Sequence, residues 1–153
     1  MAKYNKFEDI RLKVKNWALE GKCAIREIQN PGDAWVLNIA PDASYGVAVS
    51  MKLDTPDLIS FGTTLQLNEY SSSIGSMTHK ERKSLVLGIR LYLASFERFG
   101  FDVPDDLSYV NINYFLFLDE LTKARFWTAL YGIDKMLSAS TWMIDKKLLS
   151  ANE

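Results

Sequence analysis

The sequence is poor in the residues that most often carry chemistry or cross-link a chain. It contains one cysteine, Cys23, and one histidine, His79. A single cysteine excludes an intramolecular disulfide, and together the two side chains supply too few ligands for a typical zinc site. We therefore predict no catalytic residues, no metal and no cofactor. On this interpretation Cys23 is a chemically quiet thiol and His79 an exposed structural side chain.

An excess of charge of one sign and a long apolar run are also absent. Eighteen basic and 19 acidic residues give a formal net charge of −1, which argues against electrostatic attraction to nucleic acid or to an anionic membrane. No apolar run approaches the roughly 18 residues that a membrane-spanning helix needs. The first residues lack the apolar centre of a secretory signal. These features predict a cytoplasmic protein that binds neither nucleic acid nor membrane.

Prolines and glycines are few, with four and eight among 153 residues. Hydrophobic residues make up 48% and charged residues 24%, as in an ordinary globular protein. Residues 1–153 are therefore expected to form a single domain with one core. Glycine-rich phosphate-binding motifs are absent, so the sequence gives no support for nucleotide binding.

Residues 109–149 are the most strongly patterned part of the chain, a predicted strand followed directly by a long amphipathic helix. One face of the strand is apolar throughout and carries Val110, Ile112, Tyr114, Leu116 and Leu118. On the other face, asparagines give way to Phe115 and Phe117 in the second half of the strand. A strand that is apolar on both faces requires cover on both, from a second helix or from a partner subunit.

The first 67 residues predict a helix and then a meander of short strands. The helix is predicted over residues 5–22, where Gly21 supplies a typical C-terminal stop signal. The sequence Asn30-Pro31-Gly32-Asp33 is the strongest turn signal in the chain. Alternating apolar residues on both sides of it predict four strands, and their short connections favour antiparallel pairing.

Residues after the meander predict two more helices. The serine-rich segment 68–77 is expected to be a loop. Thr78 and Glu81 then form the capping-box pattern of a helix that ends at Gly100, and Thr122 is expected to cap the final helix. The chain is predicted to be an α+β protein in which three main helices pack on a single antiparallel sheet of about five strands, in the order helix, meander, helix, one or two strands, helix.

Two acidic pairs, Asp105–Asp106 and Asp119–Glu120, are the remaining candidates for chemistry. Two neighbouring carboxylates could bind a divalent cation. Aspartate is also common in turns, and acidic groups before a helix complement its positive N-terminal end. Because neither pair belongs to a cation-binding motif, we favour the structural interpretation.

The apolar residues exceed what a single core stripe needs, and this surplus favours an interface. We predict a homodimer, and we keep a different protein as a second kind of partner. The alternative is that helices on both sides of the sheet bury the surplus entirely. The expected interface residues are Phe115, Phe117, Trp127, Tyr131 and Trp142.

The chain resembles a group of uncharacterised, mainly archaeal proteins with the fold of type III secretion chaperones, also seen in YbjN-like proteins. The resemblance covers residues 8–148. It is carried by ISFGTTLQL at the end of the meander, the capped helix ERKSLVLGIRLYLASFE, and LFLDELTKARFWTAL, where a strand turns into a helix. It implies a fold that commonly dimerises and binds protein segments, and it supplies no catalytic residue.

Two functional hypotheses follow. The first is a non-enzymatic protein-binding module of chaperone-like or adaptor type. The alternative is a small-molecule-binding protein or an enzyme with a site between sheet and helices, for which Asn111, Asn113 and Thr63 are the candidate polar residues.

Overall fold

The computed structural model describes residues 2–41 and 45–150 of the chain, with side chains from residue 5 onwards. Its helices are α1 (Ala2–Glu20), α2 (Ser71–Ser76), α3 (His79–Ala94) and α4 (Lys123–Ser150). Its strands are β1 (Ala24–Ile28), β2 (Asp33–Ala40), β3 (Val47–Lys52), β4 (Leu58–Gln66), β5 (Phe99–Asp102) and β6 (Tyr109–Phe117). The strands form one open antiparallel sheet in the order β1-β2-β3-β4-β6-β5.

The α+β class, the single antiparallel sheet and the order of elements are confirmed. The strand count is six rather than about five, because the segment before Val103 forms a complete strand. The serine-rich segment, predicted to be a loop, contains the short helix α2, which buries the side chain of Ile74. None of the described helices is both long enough and apolar enough to cross a membrane.

The chain divides into two compact units. The first comprises Met1–Thr63 with Tyr114–Asp134, and the second comprises Thr64–Asn113 with Lys135–Glu153. The elements β4, β6 and α4 therefore each contribute residues to both units. The prediction of one domain over residues 1–153 stays a prediction.

In the first unit, the meander is held in a defined register. Leu37 pairs with Val49, and Val49 in turn pairs with Phe61. All three side chains are almost completely buried, because alternate residues of a strand point to the same face of its sheet. The turn before β2 is the predicted one: Asp33 N–H donates to the Asn30 carbonyl at 3.2 Å, and Gly32 takes a φ of +89° that suits glycine best.

The end of α1 shows why residue 21 is a glycine. The left-handed residue that closes the helix is Lys22, with a φ of +58°, and not Gly21. A Cβ atom at Gly21 would lie 2.2 Å from the Trp127 ring. The glycine was thus correctly placed at the helix end, but its physical reason is the close approach of an aromatic ring.

In the second unit, α3 begins with the predicted capping box. Thr78 Oγ1 accepts from the Glu81 N–H at 3.2 Å, and Thr78 N–H donates to Glu81 Oε2 at 2.8 Å. The helix ends at Ala94, six residues before the predicted end at Gly100. Gly100 instead lies in β5, where a Cβ atom would be 2.3 Å from the Asn113 side-chain oxygen.

The predictions for α4 are confirmed. Thr122 Oγ1 accepts from the Arg125 N–H at 3.1 Å, as a helix cap does. The final helix was predicted to be amphipathic, and its apolar stripe is fully buried in each unit. It consists of Phe126, Leu130 and Ile133 in the first unit and of Leu137 and Ile144 in the second.

Candidate interaction surfaces and a polar cavity

The second half of β6 exposes two phenylalanines. Tyr114 and Leu116 point into the core of the first unit and are 4% and 0% exposed, whereas Phe115 and Phe117 on the other face are 51% and 61% exposed. The strand alternation that buries one pair necessarily exposes the other. The described residues thus leave uncovered the second apolar face that the sequence pattern indicated.

Small side chains lie beside these rings on the same face of the sheet. The Leu118 N–H donates to the Asp57 carbonyl at 3.0 Å, and counting along both strands from this bond brings Phe115 opposite Ser60. Ser60 pairs in turn with Ser50. The neighbouring pair on β3 and β4 is Ala48 and Gly62. Two bulky rings therefore adjoin a smooth strip of small residues, which we call the small-residue strip (Ala48, Ser50, Ser60 and Gly62).

A groove of about 650 Å³ continues from Phe117 along the end of the strand. Ile10 of α1 and Leu118 contribute further apolar side chains to it. Lys6 and Asp57 also line it and form an ion pair at 2.8 Å. The exposed apolar surface of the first unit is thus larger than the two rings alone.

Trp127 and Tyr131 form an aromatic stack on α4, also in the first unit. Their ring centroids are 5.2 Å apart, and the Trp127 centroid lies 4.9 Å from that of Phe126. Tyr131 is 49% exposed, but Trp127 is half-buried against Gly21. Trp127 therefore contributes to internal packing, and its role at an interface stays a prediction, as does that of Tyr131.

Trp142, the fifth predicted interface residue, belongs to the second unit and is 60% exposed. The Lys146 ammonium group lies over this ring, 4.9 Å from the ring centroid. It lines an apolar groove of about 380 Å³ between α3 and the C-terminal half of α4.

The polar residues proposed for a small-molecule site are engaged within the sheet. Thr63 Oγ1 donates to the Gly46 carbonyl at 2.9 Å. Asn111 Nδ2 donates to Thr64 Oγ1 at 2.7 Å, and Asn113 Nδ2 reaches Asn111 Oδ1 at 3.5 Å. The Asn111–Thr64 bond links β6 to β4, and together the three contacts engage polar groups that a ligand would otherwise use.

A polar cavity that the sequence analysis missed lies between α1 and the β1-β2 hairpin. Its volume is about 220 Å³. Arg11 lies on its wall and donates to Glu8 Oε2 at 2.8 Å and to Glu27 Oε1 at 2.6 Å. The hydrogen bonds from Arg11 lower the pKa of the Glu8 carboxyl. The hydrogen bond from Lys15, followed by the charge of Arg11, lowers the pKa of Glu27.

Trp35 also lines this cavity and provides its most unusual feature. The side chain is 7% exposed, and its indole N–H has no hydrogen-bond partner among the described residues. A buried donor without an acceptor costs free energy, so it calls for an explanation such as a bound water or ligand. The one sequence signal for the cavity was the position of Arg11 on the same α1 stripe as buried Phe7 and Val14.

The other candidates for chemistry have ordinary surroundings. Cys23 is buried, and its thiol lies 4.0 Å from the Gly21 carbonyl. His79 is exposed at the start of α3. Across the described residues, no three His, Cys, Asp or Glu side chains converge as a metal ion would require.

The acidic pairs take part in local structure. Asp105 accepts from Arg90 at 2.9 Å. Hydrogen bonds from Ser108 lower the pKa of the Asp106 carboxyl. Glu120 lies 3.7 Å from Arg125. These contacts agree with the structural interpretation of both pairs.

Comparisons with known proteins place the fold but assign no activity. Residues 10–144 match DUF2299, a family described as an uncharacterized conserved protein. The crystal structure of an uncharacterized protein from Methanothermobacter thermautotrophicus is similar, with a TM-score of 0.80 and 17% sequence identity over 90% of this chain and 98% of the other. No curated protein matches the chain. The expected membership of an uncharacterised conserved family is therefore confirmed, and the fold is shared with an archaeal protein. The likeness to type III secretion chaperones and YbjN-like proteins stays a prediction.

Proposed function

The chain belongs to the DUF2299 family of uncharacterised conserved proteins, and from its accessible surfaces we propose that it is a non-enzymatic protein-binding module that forms a homodimer. The observation that carries the proposal is the exposure of Phe115 and Phe117 beside the small-residue strip. Removing one such ring from water contributes about 1.5–3 kcal/mol.

A second copy of the chain fits this face for a geometric reason. In a twofold dimer the same surface patch lies on both sides of the interface, so it must be complementary to itself. Packing two sheets face to face would place the rings of one copy over the small-residue strip of the other. Bulky and small residues of one patch then fill each other's space, which close packing requires.

Sedimentation of a double variant tests the dimer. Phe115→Asp with Phe117→Asp should reduce the mass in solution from two chains to one while the helical circular dichroism is unchanged. The matched control is Leu19→Asp with Leu53→Asp, which adds the same charges at side chains that are 54% and 52% exposed elsewhere in the first unit. A wild-type chain that stays monomeric at high micromolar concentration would refute the dimer.

Unfolding of the double variant would likewise count against the interface, because it would assign both rings to the core. The single variant Phe117→Ser separates the two cases. It carries no charge and changes the more exposed ring, so it should keep the fold and still weaken the dimer.

The finer description as a chaperone-like or adaptor module rests on the resemblance to type III secretion chaperones. The order of a helix, a β-meander, further helices and a final strand–helix unit supports it. We also propose that the protein works in the cytoplasm, because a single cysteine has no need of an oxidising compartment.

The polar cavity supports a second candidate function, the binding of a small molecule that offers a hydrogen-bond acceptor to Trp35. Thermal-shift measurements with a panel of metabolites test it, since a ligand of the native state raises the midpoint by mass action. Trp35→Phe removes the N–H and keeps an aromatic ring, so it should abolish such a shift. A panel that leaves the wild-type midpoint unchanged would favour the protein-binding module.

A further inference from the structure

The α3/α4 groove lies in the second unit and has an apolar lining with small residues along its floor. Its walls are α3 and the C-terminal half of α4. Ser84 and Gly88 line it on α3, and Trp142 and Met143 on α4. A Cβ atom at Gly88 would lie 3.4 Å from the end of the Met143 side chain. Because Gly88 has no side chain, the base of the groove at this point is formed by the α3 backbone.

Exposed leucines extend the apolar surface on both sides of this groove. Leu87 and Leu91 of α3 are 54% and 65% exposed, and Leu149 of α4 is 70% exposed. Leu91 lies three residues after Gly88 and therefore close to it on the helix surface. Together with Trp142 they are large apolar side chains exposed on the two helices that form the groove, and exposed apolar surface of this kind marks protein-binding sites.

The charged side chains that line the groove are both positive, and Asp145 lies outside this lining, three residues after Trp142 on α4. Lys146 and Lys147 line the groove, and the Lys146 ammonium group lies over the Trp142 ring. Lys135, one to two turns before Trp142 on α4, places its ammonium group 5.9 Å from the Phe96 centroid. Glu81 lies near Lys147, but its carboxylate already accepts hydrogen bonds from Thr78.

We propose that the α3/α4 groove binds an amphipathic α-helix of another protein that carries acidic residues beside its apolar stripe. The low floor at Gly88 lets a third helix approach closely, as ridge-into-groove packing requires. An extended peptide would gain little here, because helices offer no free backbone edge for strand addition. This inference goes beyond the proposed dimer and uses a different surface.

The sign of the charges selects the partner. A second copy docked in the same groove would bring Lys146 and Lys147 close to their counterparts, which like charges oppose. Glutamates flanking the stripe of a partner helix would instead meet these ammonium groups. The complementary charge then orients the helix and speeds its association.

Fluorescence anisotropy with two labelled peptides tests the proposal. The first is an 18-residue helix with leucines at positions spaced three and four residues apart and glutamates on both sides of that stripe. The second has the same leucines and lysines in place of the glutamates. We expect the acidic peptide to bind at least ten times more tightly than the basic one.

Two variants assign this binding to the groove. Trp142→Ser removes the largest exposed ring, and Gly88→Leu fills the floor with a better helix former. Each should weaken binding of the acidic peptide at least tenfold with an unchanged circular dichroism spectrum. Leu12→Ser is the matched control, since Leu12 is 43% exposed on α1 in the first unit, and it should leave binding unchanged.

Four binding results would overturn the proposal. They are equal binding of the two peptides, no binding of either, full binding by both groove variants, and tighter binding to vesicles containing phosphatidylserine than to the acidic peptide. A lower mass of Trp142→Ser in sedimentation would assign the groove to a second copy and also refute it. Because the readout is peptide binding, failure of the Phe115/Phe117 dimer leaves this test intact.

Discussion

The two halves of β6 share one buried face and differ on the other. In the first half, Asn111 donates to Thr64 and Asn113 reaches Asn111, so the second face is polar and internally bonded. In the second half the same face carries Phe115 and Phe117, which are more than half exposed. Polar groups on a strand can be satisfied by their neighbours, whereas apolar surface is removed from water only by being covered. The comparison shows why the second half is the part of this strand that favours a partner.

The largest predicted effect is a difference in the free energy of unfolding between variants of the buried face and variants of the exposed face, both in the second half of β6. Leu116 is fully buried, so Leu116→Ala should lower the free energy of unfolding by about 2–5 kcal/mol. Phe117→Ala should change it by no more than about 0.5 kcal/mol when urea unfolding is measured at a protein concentration low enough to keep the chain monomeric. Equal losses would mean that Phe117 belongs to the core and that the two faces are alike.

The next largest effect is on the dimer dissociation constant, when substitutions make the exposed face of the second half of β6 as polar as that of the first half. Phe115→Asn with Phe117→Asn gives the second half the polar character of the first without adding charge. Since interface hot spots contribute about 2 kcal/mol or more, the double variant should raise the dimer dissociation constant at least about thirtyfold. Sedimentation equilibrium measures it, and Leu12→Asn with Leu53→Asn is the control. An unchanged constant would show that the exposed rings do not hold two copies together.

A smaller effect tests the bonded, polar half. A double-mutant cycle of Asn111→Ala and Thr64→Ala should give a coupling free energy of about 0.2–1 kcal/mol, because their side chains form an exposed cross-strand pair at 2.7 Å. Urea unfolding of the four proteins measures it. A coupling of zero would contradict the view that neighbouring side chains satisfy this half of the strand.

Local patterns predicted much of the fold. The stripe through Phe126 and Leu130 follows the helical period, and the box of Thr78 and Glu81 needs only residues three apart. Both depend on short separations along the chain. For the same reason the alternation in β6 already identified Phe115 and Phe117 as surplus, although no pattern in one sequence can tell whether a partner covers them.

Tertiary contacts explain what the sequence did not predict. The polar cavity depends on the hydrogen bond between Arg11 of α1 and Glu27, which lies sixteen residues later. The periodicity of apolar residues along the chain does not predict such a contact. Gly100 was interpreted as a helix end. It is a glycine because the Asn113 side chain of the neighbouring strand leaves no room for a Cβ atom. The α3/α4 groove was not predicted, because the helical period of α3 identifies its buried stripe and says nothing about the exposed Leu87 and Leu91 outside it.

The smallest effect concerns the first residue of β6 and depends on pH. The Tyr109 hydroxyl donates to Asp102 Oδ2 at 2.6 Å, and this hydrogen bond with the Asp102 carboxylate raises the pKa of Tyr109 above its ordinary value. A raised pKa in the folded state means that the stabilisation is fully present below the ordinary tyrosine pKa. It is lost as the pH rises through the pKa of Tyr109 in the folded protein.

Carbon-13 NMR of the tyrosine ring should therefore show that Tyr109 loses its proton at a higher pH than an ordinary tyrosine. The variant Asp102→Asn should return the pKa of Tyr109 toward the ordinary value. Asp57→Asn, in the other unit, should leave the Tyr109 titration unchanged. If Tyr109 titrates identically with and without the Asp102 carboxylate, the polar half of β6 is less well bonded than its geometry indicates, and the contrast between the two halves weakens accordingly.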